Sequence, residues 1–213
     1  MKIFAHRGFS YKFPEATRAA YEGAITVKVD GLECDIRLTR DQIPVCFHDR
    51  NLKRIAGISK KISKLSLSEL RQLTDVMTLR ELINLANENQ IEILIETKHP
   101  SKFGRGVEKA VVHEVKGKKN FTIMSFSLLA TLWLRKSVES TGYVIGHSWR
   151  LLFIPTKIVA IDYRIFNKSK WVRDRLRNKV VYLWTVNDIE DVEYPNQING
   201  VITDKPNLPF RLC

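Results

Sequence analysis

Cysteine is scarce: three residues in 213, at positions 34, 46 and 213, an odd count with no Cys-x-x-Cys spacing. That argues against a disulfide framework or a cysteine-based zinc site and points to a reduced, intracellular protein. Cys213 also fits no prenylation pattern. Ten Gly and seven Pro are too few for a fibrous or low-complexity chain. No apolar run approaches the roughly 18 residues of a membrane span. His6 and Arg7 follow Met1 to Phe4 before a signal-peptide apolar region could develop, so a cytoplasmic location is expected. Acidic residues are in deficit too, 23 against 35 Lys and Arg, which leaves a net charge of +12. Such a surplus favours anionic partners (phosphates, nucleic acid or an acidic membrane surface) without choosing among them.

What is present, 44% hydrophobic and 27% charged residues, suits one soluble globular domain spanning 1–213. Short runs rich in Val, Ile, Phe and Tyr predict strands over 2–6, 31–36, 91–97, 121–125, 143–147, 158–163, 180–185 and 200–203. Between them the spacing predicts helices over 15–27, 78–88, 106–115, 127–138 and 170–177, with a turn or two from Asp188. Thr78 with Glu81, and Ser66 with Glu69, have the spacing of capping boxes. Pro155 interrupts the link between 143 and 158, which predicts a degraded helix there. Eight strands with mostly helical connections imply a parallel sheet closed into a compact (β/α)8 TIM barrel, an α/β fold whose site lies at the C-terminal ends of the strands.

Polar residues fall where such a barrel places chemistry. His6-Arg7-Gly8 ends the first strand, Glu33-Cys34-Asp35 the second, Glu96-Thr97-Lys98 the third and Trp184-Thr185-Val186-Asn187 the seventh. Glu33 and Asp35 share one face of their strand, and Cys34 between them faces the helices. Two carboxylates aimed into one small volume must protonate, bind a cation or pair with Arg7, Arg37 or Lys98. Glu96 adds a third, and oxygen donors without cysteine suit a hard divalent cation, Mg2+ or Ca2+. His6 and His48 are imidazoles suited to general acid and base work. Arg7 offers a guanidinium fork for phosphate oxygens, and Lys98 a point charge. His99, His113 and His147 lack comparable company. Basic clusters at 60–64, 116–119 and 168–179 read as solvated surface, and no aromatic-basic interleaving of an RNA platform is present, which ranks nucleic acid last among anionic partners.

These motifs, with Pro14-Glu15-Ala16-Thr17, His48-Asp49 and Gly200-Val201-Ile202-Thr203-Asp204-Lys205-Pro206, resemble in order and spacing the glycerophosphodiester phosphodiesterase family from end to end. The resemblance implies a TIM barrel that hydrolyses glycerophosphodiesters to sn-glycerol 3-phosphate and an alcohol with a divalent cation. It implies His6 and His48 as the acid/base pair, Glu33, Asp35 and Glu96 as metal ligands, and Arg7 and Lys98 as phosphate contacts. Glu15 would support the metal or the histidines, and Trp184, with Phe126 as a weaker candidate, would wall the glycerol. The family's Pro-Glu-Asn-Thr reads Ala at position 16 here, and the Asp49–Thr78 segment, where the family often carries an insertion, is short. An alternative within the same chemistry is a phospholipase D-like or lysophospholipid phosphodiesterase, peripheral to an anionic membrane.

Overall fold

Strand pairing closes on itself. In a computed structural model, which describes residues 1–208, eight parallel strands follow one another: β1 (Lys2–His6), β2 (Gly31–Leu38), β3 (Glu92–Thr97), β4 (Phe121–Ser125), β5 (Thr141–Ile145), β6 (Ile158–Asp162), β7 (Val180–Trp184) and β8 (Gly200–Thr203). Each pairs with the next, and β1 pairs with both β2 and β8, so the eight strands close into a barrel. The fold is the expected TIM barrel.

Period-two alternation along these strands sorts side chains between lumen and shell. Phe4, Leu94, Met124, Val144, Ala160, Tyr182 and Ile202, one from each of seven strands, form an apolar plug inside the barrel. The eighth, β2, contributes Gly31 at its start, where a Cβ would lie 2.5 Å from the Phe4 ring. Above the plug, β2 turns Glu33 and Asp35 inward. The alternate residues Leu32, Cys34 and Ile36 join the outer core beneath the helices, as expected for Cys34. Register then sets neighbours: Glu33 lies opposite His6 of β1, and Asp35 opposite Glu96 of β3.

Connections depart from the regular scheme in three places. Helix formation after β1 begins at Arg18 rather than at Glu15, because Ala16 sits at φ +59° and Thr17 caps the helix by accepting from the Ala20 amide. Glu15 therefore stays in the loop above the barrel. The link between β5 and β6 carries only a 3-10 turn, Ser148–Leu152, ahead of Pro155, in keeping with the degraded helix expected there. A helix not read from the sequence, Tyr163–Lys168, follows β6 at once, with Asp162 accepting from the Arg164 amide.

Between β2 and β3 the chain makes an excursion over the barrel mouth. A short strand, Pro44–Cys46, runs antiparallel to β2, and a small hairpin joins Asn51–Leu52 to Ile58–Lys61. The excursion has its own apolar cluster, built on Val45, Phe47, Leu52, Ile62, Leu65, Leu70 and Val76. Both predicted capping boxes form, starting the helices Leu67–Arg71 and Leu79–Glu88. Among the described residues no helix is long and apolar enough to cross a membrane.

Candidate active site

One pocket of about 500 Å³ opens at the C-terminal ends of the strands. His6, Arg7, Glu33, Asp35, His48, Glu96, Lys98, Phe126 and Trp184 all reach it, from five strands or the loops beyond them and from the excursion. Of the residues singled out in the sequence, Glu15 alone does not line it, and Glu15 touches Arg7, with 3.2 Å from NH1 to Oε1.

Three buried carboxylates dominate its floor. Asp35 is held between cations, with Arg7 Nε 2.8 Å from Oδ2 and Lys98 Nζ 3.0 Å from Oδ1. Burial works against its charge, yet Lys98 and Arg7 keep it well below the usual carboxylate range. Glu33 differs. Its Oε2 accepts from the Arg7 backbone amide at 3.2 Å, and among the described residues it has no Lys or Arg side chain within ion-pairing distance. Burial, then the charges of Asp35 and Glu96, push Glu33 well above its ordinary value. Glu96 bonds Lys98 at 2.6 Å; burial and Asp35 still raise it to about 7.

Each histidine presents Nδ1 to a carboxylate. His6 Nδ1 lies 2.7 Å from Asp204 Oδ1, and His48 Nδ1 lies 2.7 Å from Asp49 Oδ1. An ionised carboxylate only accepts, which places the proton on Nδ1 and leaves Nε2 as the variable nitrogen. Asp204 is itself fixed: Ser10 Oγ donates to Oδ1 at 2.8 Å, and Asn187 Nδ2 to Oδ2 at 2.7 Å. Against burial, the His6 hydrogen bond holds Asp204 down to about 2. Asp49 accepts from Arg54 Nε at 2.7 Å, and the same guanidinium bonds both oxygens of Glu15 at 2.6 and 2.7 Å. Burial, with Lys98 and Arg7 nearby, lowers His48 against the pull of Asp35.

The loop that presents His6 and Arg7 is tight. Gly8, at φ +81°, lets it pass Ala20, whose carbonyl carbon would lie 2.5 Å from any Cβ. Trp184 and Phe126 meet edge to face with ring centroids 5.6 Å apart, an apolar wall of the pocket that Lys98 Nζ approaches to 5.8 Å from the Phe126 centroid. His99 stands apart, with Nε2 2.6 Å from the buried Glu108.

Sequence reasoning assigned no role to Asp204, Asn187, Asp49 or Arg54. Asp49 and Asp204 stood inside quoted motifs; Arg54 carried no such signal. One imidazole nitrogen of His6 and one oxygen each from Glu33 and Asp35 lie within 4.8 Å of one another, close enough to share a cation. Glu96 is outside that group and bound to Lys98. The donors are mostly oxygens, and Glu33 is a buried carboxylate with no Lys or Arg in ion-pairing distance among the described residues, so the residues fit a hard divalent ion.

Residues 6–145 match the model of the glycerophosphoryl diester phosphodiesterase family. A probable glycerophosphodiester phosphodiesterase of Mycobacterium tuberculosis is 30% identical, over 92% of this chain and 85% of that protein. An uncharacterized protein of Mycoplasma genitalium is 34% identical, over 99% and 96%. The crystal structure of a glycerophosphodiester phosphodiesterase from Thermotoga maritima superposes with a TM-score of 0.89 at 30% identity, covering 100% of this chain and 98% of the other. An Oleispira antarctica phosphodiesterase in complex with the product sn-glycerol-3-phosphate gives 0.87 at 25% identity, covering 100% and 96%. Fold, motifs and relatives agree: the chain belongs to the glycerophosphoryl diester phosphodiesterase family, enzymes that hydrolyse glycerophosphodiesters.

Proposed function

We propose that this protein hydrolyses glycerophosphodiesters to sn-glycerol 3-phosphate and an alcohol, with a divalent cation, Mg2+ or Ca2+, and with His6 and His48 as its proton carriers. The observation that carries the reading is the company Glu33 keeps: a buried carboxylate beside Asp35, with no Lys or Arg within ion-pairing distance among the described residues and only His6 Nε2 at 3.9 Å, in a pocket that also holds two oriented imidazoles. Glu33 and Asp35, with Glu96 close by, would hold the ion, which when bound supplies Lewis-acid polarisation of a phosphoryl oxygen. Arg7 and Lys98 share the negative charge on the remaining phosphoryl oxygens. His48 and His6, each steadied at Nδ1 by a carboxylate, use Nε2 to take the proton of the nucleophile and to return one to the departing alkoxide. Glu15, through Arg7 and Arg54, braces both sides of this arrangement. Trp184 and Phe126 offer their faces to the glycerol carbons. The product held by the Oleispira antarctica relative supports this substrate class.

The test is release of sn-glycerol 3-phosphate from glycerophosphocholine and glycerophosphoethanolamine by the purified protein, in chelator and then with Mg2+ or Ca2+ restored. Activity that survives exhaustive chelation would remove the metal from the reading. No release from either substrate would remove the reaction.

A second reading, action on lysophospholipids at an anionic membrane, is favoured by one observation. The loop after β5, on the same face as the pocket, exposes Trp149, Leu152 and Phe153 at 63%, 74% and 55%. Aromatic and apolar side chains beside Arg150 suit a bilayer interface. Faster turnover of lysophosphatidylcholine than of glycerophosphocholine, lost when Trp149 and Phe153 become Ser, would select it.

A further inference from the structure

Beside the proposed reaction site lies a second pocket of about 410 Å³, and Lys98 lines both. Its charged lining is Arg37, Arg50, Lys61, Lys98 and Lys102, with no carboxylate. Arg37 follows Asp35 by two residues on β2, so it shares the inward face and stands about 7 Å further out. Its Nε donates to the His48 carbonyl at 2.8 Å, which fixes the guanidinium at the junction of the two pockets. Among the described residues none of Arg37, Arg50, Lys61 and Lys102 has a carboxylate within ion-pairing distance.

This excess is costly as it stands. Arg37 is half-buried, and Arg50 beside it repels its charge. The three acids that offset this, Asp35, Asp49 and Glu96, are engaged elsewhere, the first by Arg7 and Lys98, the second by His48 and Arg54 and the third by Lys98. An anion in the pocket would supply the missing partner. The reaction site also has the apolar wall of Trp184 and Phe126, suited to a carbon skeleton, with Lys98 Nζ 5.8 Å from the Phe126 ring centroid. A diester at the phosphate contacts thus has both apolar surface and uncompensated positive charge within reach of its arms.

Resting on the hydrolase reading above, we propose that the second pocket is a subsite for a phosphate carried by the leaving alcohol. The preferred substrates are then glycerophosphodiesters whose alcohol is itself phosphorylated. Arg50, Lys61 and Lys102 are exposed; they select the substrate and take no part in the reaction.

The experiment compares two soluble substrates, glycerophosphoglycerol and the same molecule bearing a terminal phosphate monoester. The intact protein should show kcat/KM at least about tenfold higher for the phosphorylated one, carried in KM. That advantage should fall as added NaCl shortens the Debye length from about 10 Å toward 3 Å. The triple variant Arg50→Ala, Lys61→Ala, Lys102→Ala should lose the advantage while keeping its kcat/KM for glycerophosphoglycerol within twofold. Equal kcat/KM for the two substrates in the intact protein, or an undiminished advantage in the triple variant, would overturn the subsite. Failure to hydrolyse either substrate would overturn the hydrolase reading, and the subsite with it; the two failures look different.

Discussion

Single side chains in this site are held by partners that decide what they can do. His6 and His48 each keep a carboxylate at Nδ1, and in the proposed reaction Ala at either position would remove a proton carrier. Turnover should fall about 10²–10⁴-fold in each variant. His6 is also near enough to Glu33 and Asp35 to bind the ion, and isothermal titration with Mg2+ or Ca2+ separates the roles. Unchanged ion affinity in His6→Ala marks a proton carrier; a large loss marks a ligand. Ala16 raises a different issue, since an alanine at φ +59° occupies left-handed backbone that costs roughly 1–2 kcal/mol and that Asn tolerates better. Ala16→Asn should raise the thermal midpoint by about 2–4 °C, measurable by scanning calorimetry. A drop would show that the buried methyl of Ala16 matters more than the backbone. Much of this site was legible in the sequence because period two put Glu33 and Asp35 on one face and the barrel put strand ends together. Asp204 was not assigned, because it meets His6 across a sequence separation of 198 that no local pattern encodes. Arg54 escaped for the same reason, its bonds to Glu15 spanning 39 positions.

At the level of elements, the readable parts are those whose stability is local. All eight barrel strands were visible as buried β-branched runs, and the helices at 67–71 and 79–88 through their capping boxes. The hairpin 51–61 was not, since strands of two and four residues with mostly solvated side chains carry no periodic signal. Tyr163–Lys168 was hidden because β6 runs straight into it, with Asp162 as both last strand residue and cap. The capping boxes carry a testable weight. Thr78 Oγ1 accepts from the Glu81 amide at 3.2 Å, and the Thr78 amide donates to Glu81 Oε2 at 2.8 Å. Thr78→Ala should cost about 1 kcal/mol in urea unfolding. The amide of Thr78 and the side chain of Arg71 hold Glu81 below its ordinary value, although burial opposes them. A carboxyl depressed in the fold contributes stability that is present above its unfolded value, about 4.3, and lost as pH falls through the folded one. Glu81→Gln should therefore flatten the acid limb of the stability curve below pH 5 and leave its slope near neutrality unchanged. An acid limb as steep as in the parent protein would place that pH dependence in other carboxyls.

Across the whole molecule, closure of the barrel stacks two unlike layers in one lumen. The lower layer, from Phe4 to Ile202, is apolar and stabilises the fold by burial. The upper layer gathers Glu33, Asp35 and Glu96 from two neighbouring strands, and burial, then repulsion by Asp35, raises Glu33 and Glu96. The acidic layer therefore works against the apolar one, and only the folded chain assembles it. A cation that binds the native state alone stabilises it by mass action, about 2.7 kcal/mol at a hundred times its dissociation constant. For a chain of this size that is roughly 5–10 °C in thermal midpoint. Saturating Mg2+ or Ca2+ should thus raise the midpoint of chelator-treated protein, and chelator should return it. Glu33→Gln makes the sign distinctive. An amide relieves the repulsion from Asp35, so this variant should melt no lower than the parent in chelator, yet gain little or nothing from either ion. A parent protein indifferent to both ions, or a variant that gains as much as the parent, would mean that no cation is held beside Glu33. Asp35 would then be a barrel-mouth salt-bridge residue, with Arg7 and Lys98 as its permanent counter-charges, and Glu33 a buried acid held by the Arg7 amide beside His6.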